Sequence, residues 1–402
     1  MRKFLPHTLA VMIVIIALSA AALPSAALPT RAETPEKVIM GYFPEWKVNG
    51  YPVERIPAAH LTHILYAFGN ISPAGTCSLF QTPYLVTVNL EKLKALKEQY
   101  PHLKVLISLG GWSGSSNFSR GVRTEKSRER MVTSCIEMWI KGGTVKVPGV
   151  IDGIDVDWEF PGVAGMTNNF SPDDKANFVA VMELFRAALD EQGKIDGRYY
   201  SLSAALSPNP SAVAAGLDLP ALAKVMDYFN IMTYDFHGGW SKTTNFHNGL
   251  YAVSDDPAGE SGATANVDSA VQRYIEGGVP PEKIVVGMPF YGRGWTGVEP
   301  GAAGDGLFQP VTGALEIGYR GILEQYTEGY TVFRHPQARV PYVYSAATKT
   351  FIAYDDPESI QEKAQYILDR GLAGGMFWEL SQDTTDALLS GTLCRALRGT
   401  CE

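Results

Sequence analysis

Short runs of β-branched and aromatic residues recur along the chain at residues 37–42, 60–68, 104–109, 153–158, 200–206, 228–232, 284–288 and 374–377. Each has the length and composition of a strand. Several of the intervals between them carry apolar residues at helical spacing instead. Leu90, Leu93 and Leu96 share a face after Asn89, which is read as a cap. Ser171-Pro172-Asp173-Asp174 starts a helix with a hydroxyl, a proline and two acids toward the positive end of the dipole, and Phe178, Met182, Phe185 and Leu189 follow on one stripe. Further helices fit residues 266–277, 359–370 and 385–397. Eight strands with helices after most of them predict an α/β fold, an eight-stranded parallel (β/α)8 TIM barrel, with a doubly wound open sheet as the rival.

One interval breaks this rhythm. About seventy residues separate the seventh run from the helix expected at Ser359, and residues 296–350 hold glycine-rich turns and aromatic stretches. They are read as a small α+β insertion domain on one βα loop, hence at the face of the barrel where active sites lie. The barrel itself is expected to occupy residues 33–402.

The N-terminus has a different character. Arg2 and Lys3 precede an apolar stretch from Leu9 to Leu23, interrupted by Ser19 and followed by Pro24 and small residues. This is the pattern of a secretory signal peptide over residues 1–32, and the run is short for a membrane span. Cleavage is expected to leave a mature chain beginning between residues 23 and 33. The formal charge of −8 becomes −11 without Arg2, Lys3 and Arg31. An acidic, secreted chain without a Lys/Arg run is a poor partner for nucleic acid or an anionic membrane. Its four cysteines allow two disulfides in an oxidising compartment, Cys394 with Cys401 closing a small loop and Cys77 with Cys135 remaining.

The densest chemistry lies at Asp152-Gly153-Ile154-Asp155-Val156-Asp157-Trp158-Glu159-Phe160. Residues two apart share a strand face, so Asp155, Asp157 and Glu159 point one way and Ile154, Val156 and Trp158 the other. A barrel strand is covered on both sides, which sends the acids inward if the apolar set packs under the helices. Inward carboxylates at this spacing must share protons and hydrogen bonds. They suit a divalent metal site or acid catalysis. A metal site usually draws ligands from several strands, often with His, and none of the seven His lies in this segment. Acid catalysis fits better: neighbouring negative charge raises the pKa of at least one member, and Glu159 is at the open strand end.

The segment from Asp152 to Glu159 is similar to the D-G-x-D-x-D-x-E signature of family 18 glycoside hydrolases. Ser108-Leu109-Gly110-Gly111-Trp112, Met232-Thr233-Tyr234-Asp235, Tyr291-Gly292-Arg293 and Gly374-Gly375-Met376-Phe377-Trp378 resemble the family's other strand motifs, in the same order. The resemblance implies a secreted chitinase acting on chitin or N-acetylglucosamine oligosaccharides as a monomer without metal or cofactor. An endo-β-N-acetylglucosaminidase acting on N-glycans and a non-catalytic chitin-binding lectin are the alternatives. It assigns catalysis to Glu159, Asp157, Asp155, Tyr234 and Asp235, with Glu159 as proton donor. Substrate contacts would come from Tyr42, Phe68, Gly111, Trp112, Phe160, Met232, Trp240, Tyr291, Arg293 and Trp378. Asp152, of opposite parity, and Trp139, in a helical pattern, are read as structural, whereas Trp46 and Trp295 fit either role. The resemblance also implies cis peptide bonds at Ala67-Phe68, Glu159-Phe160 and Trp378-Glu379.

Overall fold

The structure, a computed structural model, describes Met1 and residues 36–401. Apart from Met1, the expected signal peptide lies outside the described residues. All eight apolar runs form strands: β1 (Val38–Pro44), β2 (His63–Ile71), β3 (Lys104–Gly110), β4 (Gly153–Asp157), β5 (Ser201–Leu206), β6 (Tyr228–Ile231), β7 (Ile284–Pro289) and β8 (Gly374–Trp378). Neighbours pair in parallel, and β1 pairs with both β2 and β8, closing the sheet into a barrel.

Strand alternation divides the core in two. Ile154, Val156 and Trp158 point outward and join Phe178, Met182, Phe185 and Leu189 in the layer between strands and helices. Met40, Tyr42, Leu65, Leu106, Ala205, Val285 and Met376 fill the barrel interior. β2 departs from strict alternation. Its register with β3 shifts between Ala67 and Gly69, which brings Phe68 onto the inner side with Leu65 and Ala67.

The longer outer helices are α1 (Pro83–Gln99), α2 (Glu125–Cys135), α3 (Asp174–Asp196), α4 (Val267–Glu276), α5 (Pro357–Asp369) and α6 (Leu388–Arg398). Four starts differ from the sequence reading, α6 beginning at Leu388 rather than at residue 385. The cap of helix α1 lies seven residues before Asn89: Thr82 caps it, accepting from the Leu85 N–H, and Pro83 sits at the first turn. A Thr-Pro pair is a complete start signal, so Asn89 falls within the helix, where it is buried. Helix α3 has Asp173 rather than Ser171 at its cap position; Asp174 turns back to accept from the Ser171 N–H and the Ser119 hydroxyl. Helix α5 is capped by Asp356, with Ser359 completing a reciprocal capping box three residues later. Behind that cap, Lys363 Nζ lies 2.6 Å from Asp355 Oδ2, both side chains fully buried.

Between β7 and β8 the chain makes a separate antiparallel sheet of Tyr291–Thr296, Gly313–Gly318, Thr331–Arg334, Pro341–Ser345 and Thr350–Ala353, with a helix at Tyr319–Gln325. The sheet runs beyond residues 296–350 because its first strand starts one residue after β7 ends and pairs with Thr350–Ala353. A second excursion, residues 232–266 after β6, leans on it. Phe246 packs with Trp295, Tyr342 and Phe351, and backbone bonds join Thr244 to Gln309 and Leu250 to Ala338. The sequence reading overlooked this excursion because it carries few periodic apolar residues. Disulfides link Cys77 to Cys135 and Cys394 to Cys401.

Candidate active site

Asp155 lies at the centre of the barrel, fully buried. It accepts four hydrogen bonds, from Ser108 Oγ at 2.7 Å, Ser203 Oγ at 2.7 Å, Tyr42 Oη at 3.1 Å and Asn230 Nδ2 at 3.1 Å. Burial raises its pKa, and these donors work against that rise. The donors come from β3, β5, β1 and β6, so the barrel closes around this carboxylate.

Asp157, two residues on, is also buried, yet its Oδ1 has no hydrogen-bond partner. Burial first, then the charges of Glu159 and Asp155, hold it well above the ordinary carboxylate range. Burial and the negative charge of Asp235 push Glu159 up to about 8. Protons on the row are therefore shared and titrate as a coupled set. The row thus retains protons well above the pH at which a solvated carboxylate loses them.

The strand end that carries Glu159 is fixed by the loop after β3. Ser115 Oγ donates toward the carbonyls of Gly111 and Asp157, at 2.9 and 3.0 Å, and accepts from the Glu159 N–H at 2.9 Å. Gly110 and Gly111 allow this approach. A Cβ on Gly110 would lie 2.3 Å from the Asp157 carbonyl oxygen, and one on Gly111 2.5 Å from the Phe68 ring; both residues have positive φ. The Gly111 N–H is spent on the Asp157 carbonyl. Peptide bonds Ala67-Phe68, Glu159-Phe160 and Trp378-Glu379 are cis, as the resemblance implies.

Asp235 has left-handed backbone geometry (φ 57°) and a side chain clamped from several directions. Arg293 binds both carboxylate oxygens at 2.7 Å, Tyr291 Oη donates at 2.7 Å, and His247 Nδ1 lies 3.5 Å away. Burial alone would raise its pKa, but Arg293 and His247 outweigh that and keep it ionised. Arg293 also lies over the Trp240 ring, 5.1 Å from its centroid. Tyr234 is buried on the inner side of the barrel with Met232 and Tyr291, and burial followed by Asp157 raises its pKa.

Aromatic rings line the opening. Trp378 packs with Tyr42 at 5.4 Å and stacks on Phe68 at 5.8 Å, with Phe160 in the same cluster. Trp112 and Trp240 stand out into solvent at 54% and 63% exposure. Trp46 joins the wall, stacked on Phe68 at 5.9 Å and 6.2 Å from Trp378. Trp139 and Trp295 are both buried, the latter in the core of the antiparallel sheet. Asp152 is tied to Lys97, Arg198 and the Val105 N–H, away from the acid row.

Sequence reasoning did not single out Ser115, Ser203 or Asn230. Ser203 and Asn230 were nevertheless detectable, since each is the polar residue at an inward position of an otherwise apolar strand. Ser115 lies in a loop, where no periodicity marks it. Among the described residues, no group of three or more His, Cys, Asp or Glu side chains is disposed to hold a metal ion.

The chain matches glycosyl hydrolases family 18 over residues 38–383. It is 35% identical to chitinase A1 of Niallia circulans over 428 residues, 91% of this chain and 59% of that protein. With endochitinase 1 of Metarhizium robertsii the identity is 32% over 386 residues, 89% of this chain and 84% of the relative. Among solved structures, chitinase ChiA74 from Bacillus thuringiensis matches with a TM-score of 0.83 and 33% identity, covering 91% of this chain and 70% of that one.

Proposed function

The chain belongs to the family 18 glycosyl hydrolases, and we propose that it is a secreted chitinase that hydrolyses β-1,4 linkages between N-acetylglucosamine units, with Glu159 as proton donor. The observation that carries this reading is the graded acid row: Asp155 is saturated with hydrogen bonds, Asp157 has a free oxygen, and Glu159 is pushed up to about 8. Protons are thus retained on the row beside an aromatic-lined opening, and Glu159 at its open end is the member placed to pass one to a leaving glycosidic oxygen.

In the proposed reaction the substrate supplies the nucleophile. The carbonyl oxygen of the 2-acetamido group attacks its own anomeric carbon as Glu159 protonates the leaving oxygen. The resulting oxazolinium ring is positively charged, and Asp157, turning from Asp155 toward the acetamido N–H, stabilises it. Asp155 holds the proton left behind as Asp157 turns away, so that Asp157 faces the ring as an anion. The Tyr234 hydroxyl donates to the acetamido oxygen. Glu159, now ionised, takes a proton from water, which opens the ring with net retention. Trp378 forms the floor beneath the reacting sugar, and Trp112 and Trp240 offer flat apolar faces to sugars on the leaving side.

Two digests test this reading. Chitin hexamer should be cut to shorter oligomers, whose masses separate internal cleavage from release of monomer. Partially deacetylated chitosan should give new reducing ends that carry N-acetylglucosamine almost exclusively. Frequent glucosamine at those ends would show that cleavage proceeds without the acetamido group, and substrate assistance would be wrong.

A further inference from the structure

We propose that Glu45 is a positioning residue for Trp46: held as the neutral acid, it anchors the turn that sets Trp46 against Phe68 and Trp378, and its ionisation weakens sugar binding at that ring. The proposal rests on the reading of the opening as a cleft for N-acetylglucosamine chains.

Glu45 directly follows β1, whose last residue, Pro44, pairs with Ala67 of β2, and it begins the short 3-10 turn Glu45–Lys47. The turn reverses through bonds from the Gly50 and Tyr51 N–H groups to the Lys47 carbonyl. Trp46 faces outward at 38% exposure, while Glu45 beside it is fully buried. A carboxyl group buried next to an exposed cleft aromatic, and remote from the acid row, has no part in the proposed chemistry. Its partners are specific. Tyr66 Oη donates to Glu45 Oε2 at 2.7 Å, and Asn89 Nδ2 donates to the same Tyr66 oxygen at 3.2 Å. The chain Asn89–Tyr66–Glu45 therefore ties helix α1 and strand β2 to the Trp46 turn.

Two acceptors of the cluster are left without donors. Glu45 Oε1 and Asn89 Oδ1 are both buried without a hydrogen-bond partner. A proton on Glu45 removes a buried negative charge that no cation balances and adds a donor to a cluster with acceptors to spare. The groups that face Glu45 are the Tyr66 hydroxyl from β2, itself backed by the Asn89 amide from α1, and the backbone N–H of Gln81; no cation is among them. Burial accordingly pushes Glu45 up to about 7, against a smaller opposing effect of the Tyr66 hydrogen bond. Because the folded-state pKa is raised, the neutral acid's contribution is complete below the ordinary carboxylate range. It declines as pH rises and is lost above about 7. Above that pH the turn holds a buried anion without a counter-cation, which favours conformers that expose Glu45 and move Trp46.

The test is the affinity of chitin hexamer for a Glu159→Gln protein, measured by calorimetry from pH 5.5 to 8.5, so that turnover and the Glu159 titration play no part. Affinity should fall as pH rises through about 7, by up to about tenfold per pH unit. Adding Glu45→Gln, which keeps an acceptor for Tyr66 without a titrating proton, should remove that fall and hold affinity near its acidic value. Adding Tyr66→Phe instead should move the fall to higher pH, because the hydrogen bond that favours the anion is gone. This second variant carries the test should Glu45→Gln fail to fold. Binding that is flat across the range, or a fall that survives in Glu45→Gln, overturns the proposal alone. Absence of hexamer binding at every pH overturns the functional reading, and this proposal with it.

Discussion

Glu159 feels the charge of Asp235, yet the two shift in opposite directions, and the difference is a matter of partners. Asp235 has a bidentate guanidinium and a phenol; Glu159 has burial and a neighbouring anion. The proton on Glu159 is therefore partly maintained by the charge on Asp235. Since a donor must enter the reaction protonated, kcat should fall as pH rises through about 8. Asp235→Asn removes the repelling charge and leaves Arg293 positive nearby, so the alkaline limb should move to lower pH. A kcat profile on chitotetraose between pH 5 and 10 shows both effects. A limb that stays in place in Asp235→Asn would mean that Asp235 does not govern the donor.

At the scale of elements, alternation carried most of the information. The strands were legible because a covered strand needs β-branched and aromatic residues on both faces, and the acids of β4 stood out because they break that rule on one face only. Helix starts were less legible. Asn89, Ser171 and Ser359 are all residues that cap helices, but a cap is decided by which of several candidates the backbone reaches with the right geometry. At Thr82-Pro83 and Asp356-Pro357 the earlier candidate prevailed. Tertiary use then took over what remained: Asn89 became the partner of Tyr66, and Ser359 the second half of a capping box. The polar ring around Asp155 was only half visible, because its donors lie on four strands far apart in sequence. One element-scale contact has a large energetic consequence. Lys363 is fully buried against Asp355, so Lys363→Ala leaves a buried carboxylate without its cation. Denaturant unfolding should show a loss of about 3–5 kcal/mol. A loss below 1 kcal/mol would show that Asp355 is otherwise solvated or neutral.

Across the whole molecule, the barrel supplies a rigid row of acids, and two excursions after β6 and β7 supply material around its open end. Asp235, Trp240 and His247 come from the first excursion, and Tyr291 and Arg293 from the first strand of the second, so the clamp on Asp235 joins them. Trp46 and Trp112 each lie two residues beyond the ends of β1 and β3, and Trp378 is the last residue of β8. The proposed catalysis therefore depends on groups from most of the chain converging on one proton at Glu159. The most direct test is turnover of chitin hexamer by Glu159→Gln, with hexamer affinity measured on the same preparation. The account predicts that turnover falls by on the order of a hundredfold or more while the hexamer still binds with close to wild-type affinity. A variant that keeps a tenth of wild-type turnover would contradict it, because another group would then be delivering the proton.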